Sequence, residues 1–125
     1  MKVGIVGSSK FPNTAHSVRF IKDIIDKYPP DTIFVSGGAK GVDSVAIDVC
    51  RLSGYNTTVF KPKGHSWTAF KERNLIIARY CDEVISIALP LDKTPCYHCN
   101  SKRHDKTAGC YTLKYAKKGK VIVYK

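Results

Sequence analysis

The run Ser36-Gly37-Gly38-Ala39-Lys40-Gly41-Val42-Asp43 follows a short apolar stretch, Thr32-Ile33-Phe34-Val35. It precedes Val42, Val45, Ala46 and Val49, which recur at helical spacing. The glycines therefore fall between a strand and a helix. That is where backbone N–H groups and a helix N-terminus can be aimed at an anion, and glycine lets the backbone come close because no Cβ intervenes. The chemistry expected of Ser36, Gly37, Gly38, Ala39, Lys40 and Gly41 is phosphate binding. A tight turn without a ligand is the alternative, although it needs fewer glycines. A second group is Arg73-Asn74. Asn74 shares an inward stripe with Trp67, Phe70 and Ile77, and an amide on a buried face must find hydrogen-bond partners or destabilise the fold. Its partner is a ligand or a neighbouring backbone loop, and Arg73 taken alone reads as a surface charge.

A third group has metal-ligand spacing. Cys96, Cys99, His104 and Cys110 form a Cys-x2-Cys-x4-His-x5-Cys pattern. Zinc takes four thiolate or imidazole ligands in a tetrahedron, and a two-residue gap lets both thiolates of one turn reach the ion. Structural zinc is the expectation, with Lys102, Arg103 and Lys106 placing positive charge around a loop close in spacing to a nucleic-acid-binding zinc knuckle. A reduced loop or a reversible disulfide is the other reading, and His98 is an alternative ligand to His104.

The elements that must position these groups alternate. Lys2–Val6 reads as a strand ending in Gly7-Ser8-Ser9. A helix follows, capped by Asn13 or Thr14, with Val18, Ile21, Ile25 and Tyr28 on one face, and Pro29-Pro30 ends it. After the second strand and the glycine loop, a helix from Val42 to Leu52 stops at Gly54. Thr57–Phe60 is a third strand, Ser66 caps a helix over Trp67–Tyr80, and Val84–Leu89 is a fourth strand. A helix at Tyr111–Lys117, ended by Gly119, and a fifth strand at Val121–Tyr124 close the chain. This alternation predicts an α/β fold: a Rossmann-like three-layer α/β/α sandwich of about five mainly parallel strands, with a Cys/His-rich loop after the fourth. Residues 1–125 are expected to form one domain, with the zinc loop at 90–110 inside it. The ligand should lie at the carboxyl ends of the strands, where Gly7-Ser8-Ser9, the glycine loop, Lys61–His65 and the segment after Leu89 converge. Gly4 lies inside the first strand and only Gly7 follows it, so the dinucleotide fingerprint is absent and no nicotinamide cofactor is expected.

The chain of 125 residues has a formal net charge of +11, a field that attracts polyanions and phosphorylated small molecules alike. A lysine-rich surface serving solubility alone is the bland alternative. No run approaches a membrane span and the N-terminal apolar run is too brief for a signal-peptide core, so the reading is a soluble, cytoplasmic protein without a membrane partner. Five cysteines without an export signal read as free thiols or metal ligands rather than a disulfide framework.

The glycine run closely resembles the Ser-Gly-Gly-Ala-x-Gly-(Ile/Val/Ala)-Asp motif of the SLOG superfamily of Rossmann-like domains, which includes DNA-processing protein A and the Lonely Guy phosphoribohydrolases. Val6-Gly7-Ser8-Ser9-Lys10-Phe11 resembles the Gly-Ser-Arg turn of that superfamily, with Ser9 or Lys10 where arginine is usual. Arg73-Asn74 resembles the Arg-Asn pair of a small single-domain branch. The likeness covers about residues 2–89 and the closing helix and strand. It implies a nucleotide or nucleotide-like ligand with its phosphate on Gly37, Gly38, Ala39 and Gly41. Asp43 would then brace the loop by accepting its N–H groups, the commoner role, or meet a ligand hydroxyl. Superfamily members often pair, which makes a homodimer an expectation of the resemblance. The Lonely Guy loop resembles Pro-Gly-Gly-x-Gly-Thr-x-x-Glu. Here the loop is one residue longer, Val42 replaces threonine, and Ala46 stands where an acid is expected.

These readings favour a binding module or sensor for a phosphorylated, nucleotide-derived small molecule, held by the glycine loop, Gly7, Ser8, Ser9, Lys61, Lys63, Arg73 and Asn74. Single-stranded nucleic-acid binding is the second reading, with Tyr97, Phe11 and Trp67 as base-stacking candidates. The third is a nucleoside-monophosphate phosphoribohydrolase, for which Glu72 is the nearest source of an acid.

Overall fold

The computed structural model describes residues 1–8, 10–89 and 110–124, with the backbone alone for Trp67, Cys110 and Tyr111. Five strands and four helices alternate: β1 (Lys2–Gly7), α1 (Ala15–Ile25), β2 (Ile33–Ser36), α2 (Val42–Leu52), β3 (Asn56–Val59), α3 (Trp67–Tyr80), β4 (Glu83–Ala88), α4 (Cys110–Tyr115) and β5 (Gly119–Val123). All pairings are parallel and the strand order is β3-β2-β1-β4-β5. The order reverses between β1 and β4, so the sheet is doubly wound and Rossmann-like, as the alternation predicts.

Side chains alternate across the pleat, and each face acquires its own core. Val3, Ile5, Phe34, Ile85 and Ile87 pack with Ile21 and Ile25 of α1 and Val45 and Val49 of α2. On the other face Val6, Val35 and Val84 meet Ile77 and Cys81, with Leu113 of α4 beside them. Gly4 lets the end of α3 lie against β1: a Cβ there would sit 3.2 Å from the Cys81 sulfur and 3.3 Å from Ile77 Cγ2. Phe34 anchors the first core between Tyr28 and Tyr55, edge to face at 5.8 and 5.1 Å. Cys50 and Cys81 are buried free thiols, each pushed up to about 12 chiefly by burial.

Local signals set most boundaries. Thr14, rather than Asn13, caps α1: its hydroxyl accepts the Ser17 N–H at 3.2 Å and the Ser17 hydroxyl accepts the Thr14 N–H at 2.8 Å, a reciprocal box. Ser66 caps α3 by accepting the Ala69 N–H at 3.2 Å. The α2 helix has no side-chain cap; Gly41 precedes it at φ 82. The last strand starts at Gly119, two residues before the expected Val121. Gly119 is where α4 closes onto β5, since a Cβ there would lie 2.5 Å from Leu113 Cδ1. Phe11 is not available for stacking on a base. It is 4 % exposed and covered edge to face by Tyr124 at 4.8 Å, because the end of β5 folds over the loop after β1. Among the described residues no helix is long and apolar enough to cross a membrane.

Candidate functional site

The glycine run leaves the carboxyl end of β2 as a loop and enters α2 at Val42. It faces the segment that follows β3 and the first half of α3. Between them lies a cleft of about 700 Å³ bounded by Gly37, Gly38, Ala39 and Lys40 on one side and by 61–65 on the other, with Phe70 and Arg73 of α3 at its floor. Lys40, Lys61, Lys63 and Arg73 give it four basic side chains, and no carboxylate is among the described residues that line it. Gly38, at φ 72, brings the backbone against β3: a Cβ there would lie 2.9 Å from Val59 Cγ1 and 3.7 Å from Lys61 Cγ. The Lys61 stem therefore runs alongside the glycine loop.

Behind this rim a second layer of the predicted residues holds the loop in shape. The Ser36 hydroxyl accepts the Gly38 N–H at 3.3 Å and donates to the Asp43 carbonyl at 3.2 Å. Asp43, 5 % exposed, turns its carboxylate back under the loop and accepts the Ala39 N–H at 3.4 Å, with the Gly37 N–H also bonded to it. Burial raises this carboxyl from 3.8 to about 6; the Arg73 charge and the two N–H groups oppose the rise. Arg73 reaches across from α3 and donates through Nη1 to the Gly37 carbonyl at 2.7 Å and through Nε to Asn74 Oδ1 at 2.8 Å. Burial pulls the guanidinium below its ordinary value and Asp43 offsets this. Asn74, 7 % exposed, thus has a third kind of partner: the side chain beside it, which it aims at the glycine loop. Gly37 is where this bracing converges, because a Cβ there would lie 2.3 Å from Arg73 Nη1 and 2.9 Å from Asp43 Oδ2.

The predicted residues therefore divide. Gly37, Gly38, Ala39, Lys40, Lys61 and Arg73 line the cleft; Ser36, Asp43 and Asn74 support it from behind, and Gly41 sets the entry into α2. Gly7 and Ser8 do not line it. Gly7 is a close-packing position, where a Cβ would be 2.7 Å from both the Ile87 carbonyl oxygen and Val42 Cγ2. Ser8 gives its hydroxyl to the Lys10 N–H at 3.1 Å and its carbonyl to the N–H groups of Phe11 and Val42 at 3.3 and 3.2 Å. The first loop thus clamps the start of α2, and the described cleft lies over β2 and β3 rather than between β1 and β4. Ser9, Cys96, Cys99 and His104 lie outside the described residues, as does Tyr97, and Cys110 is described only as the first backbone position of α4. Among the described residues no cluster of three His, Cys, Asp or Glu side chains is placed to hold a metal.

The chain shares the fold of part of DNA processing protein A. The solved structure of that protein from Streptococcus pneumoniae superimposes with a TM-score of 0.57 at 23 % identity, over 67 % of this chain and 40 % of the other. This chain therefore spans less than half the length of that neighbour. No protein-family model matches the chain, and no curated protein matches it in sequence. At this identity the likeness carries the fold alone.

His65 and Phe70 are among the cleft residues that escape the sequence reasoning. His65 sits in a loop expected at the site but is not singled out, and Phe70 is assigned to the inward stripe of α3. Phe70 is half-buried and presents its ring to the cleft, with Arg73 Cζ 5.9 Å from the ring centre. Its position three residues before Arg73 puts the two on one helix face, which is the signal that finds it.

Proposed function

We propose that the cleft binds a phosphorylated nucleotide or nucleotide-derived small molecule, and that the protein acts as a binding module or sensor for it. The supporting observation is the lining: Lys40, Lys61, Lys63 and Arg73 with no carboxylate among the described residues, beside one aromatic ring. Such a set attracts phosphate through several ammonium groups at once, and Phe70 offers a face on which a base can stack. The N-glycoside hydrolase reading lacks support here. Glu72, its candidate acid, is exposed on α3 and does not line the cleft. The test is thermal unfolding of the protein against nucleotides, including cyclic and ADP-ribose-type derivatives. A ligand at about 100 times its Kd stabilises by about 2.7 kcal/mol. The shift should vanish in Lys61→Glu/Lys63→Glu, and silence across the whole panel would overturn the proposal.

Single-stranded nucleic acid is a second reading, favoured by the net charge of +11 and by the DNA processing named for the structural neighbour. The same lysines would then track a phosphate backbone. Retention of a labelled oligonucleotide that falls steeply with salt, is lost on charge reversal at Lys102 and Arg103, and is indifferent to Gly38→Asp would favour it over the small ligand.

A further inference from the structure

The glycine loop looks like an anion cradle, yet several of its own donors are already used. The Gly38 N–H goes to Ser36, the Ala39 and Gly37 N–H groups to Asp43, and the Val42 N–H to the Ser8 carbonyl. The Asp43 carboxylate occupies the position that an external anion takes in an open backbone nest. With those donors engaged, the side chains of Lys40, Lys61 and Lys63 carry most of the attraction of the cleft for a ligand phosphate. Arg73 adds little net charge, because Asp43 lies close behind it across Gly37.

We infer that the cleft grips an oligophosphate end, two or more linked phosphoryl groups, and does so without a divalent metal. This rests on the nucleotide reading above and specifies which nucleotides. A terminal monophosphate carries about 1.5 to 2 negative charges, so it leaves part of the three-lysine set unmatched. A second phosphoryl group matches it. Among the described residues no carboxylate is within ion-pair distance of these three lysines. Magnesium is held in nucleotide sites by one or two carboxylates together with the phosphates, and the described lining offers none. Lysine ammonium groups and magnesium then compete for the same phosphate oxygens. A metal that neutralises the phosphates removes the charge that the cleft is built to meet.

The test compares orthophosphate, pyrophosphate and tripolyphosphate as probes of the full chain by thermal shift and calorimetry in EDTA, then with magnesium in excess. Pyrophosphate and tripolyphosphate should bind at least about tenfold more tightly than orthophosphate, and magnesium should weaken them by a similar factor. Lys61→Ala/Lys63→Ala should erase the difference between the probes while leaving the unliganded melting temperature unchanged, since both side chains are exposed. Nucleoside mono-, di- and triphosphates of each base are run alongside. Monophosphates binding as tightly as diphosphates, or binding only with magnesium, would overturn the inference and leave the nucleotide reading standing. No response to any nucleotide or inorganic probe overturns both.

Discussion

The substitution Gly37→Ala isolates the bracing behind the cleft. Gly37 has no positive φ, so backbone strain does not enter; what matters is the space its hydrogen occupies. A methyl carbon there would lie 2.3 Å from Arg73 Nη1 and 2.6 Å from Cζ. Comfortable contact is about 3.5 Å or more, so the guanidinium must retreat by roughly 1 Å and lose its bond to the Gly37 carbonyl. Forcing a methyl into a packed site costs about 1–3 kcal/mol, and a hydrogen bond to a charged group contributes about 1.5–3 kcal/mol when fully buried. Arg73 is only part-buried, so the lower half of the second range applies and the total is about 2.5–5 kcal/mol. A specific unfolding entropy of about 2.1 cal/mol/K per residue makes each kcal/mol worth roughly 4 °C for a chain of this size. Gly37→Ala should therefore melt about 10–20 °C lower by calorimetry. Gly64→Ala is the control: no atom lies within 4 Å of a Cβ there, so its stability should hold or rise by about 0.4–1 kcal/mol. Arg73→Ala removes the group the methyl strikes, so the double variant should recover at least about 1 kcal/mol relative to the sum of the singles. A Gly37→Ala protein that melts with the wild type, or a cycle that is additive, would show that Arg73 is not held over Gly37.

Asp43 makes stability depend on pH. Its folded value of about 6 lies above the ordinary 3.8, so between these values the native chain holds a proton that the unfolded chain releases. The contribution is fully present below about pH 4 and is lost as pH rises through 6, a change of about 3 kcal/mol by linkage. Asp43→Asn should flatten that part of the urea-unfolding profile, whereas identical profiles for the two proteins would contradict the burial of the carboxylate. Phe70→Ala should weaken nucleotides by about 1–3 kcal/mol in calorimetry while leaving pyrophosphate unchanged, because only a base stacks. Equal losses for both would place the ring elsewhere than under the base. Cys50 and Cys81, with thiols pushed up to about 12 by burial, should resist alkylation in the folded protein and label only after denaturation, as mapped by mass spectrometry. Rapid native labelling at either would refute the packing around them. For Cys96, Cys99, His104 and Cys110 we propose one structural zinc per chain; metal analysis of protein purified without chelator should find it, and less than about 0.3 per chain would overturn the proposal.

The parallel sheet and its helices are legible in the sequence because their signals are local. Alternating apolar strands and 3.6-residue stripes specify the layers, and Thr14 and Ser66 announce helix starts through hydroxyls that meet N–H groups three residues on. The glycine run is legible as a strand-to-helix loop for the same reason. Its internal state is not, because that depends on Arg73 arriving from α3 and on the way the Asp43 carboxylate turns. The burial of Phe11 is hidden likewise, since Tyr124 covers it from the far end of the chain. Residues whose roles rest on one neighbour in sequence were readable; those whose roles rest on tertiary contact were not.

This division separates stability from binding within one small site. Gly37, Ser36, Asp43, Arg73 and Asn74 are tied to one another and to the loop backbone, so altering any of them perturbs the fold together with the cleft. Lys40, Lys61 and Lys63 are exposed on the rim and carry charge without supporting the core. Surface substitutions of this kind usually change stability by less than about 0.5 kcal/mol. Ligand preference can then be retuned at the lysines while the scaffold behind them stays intact. A loop whose donors were spent on the ligand itself would be most rigid only when occupied. This one is held by its own aspartate and serine before any ligand arrives, so binding need not supply the cost of ordering it.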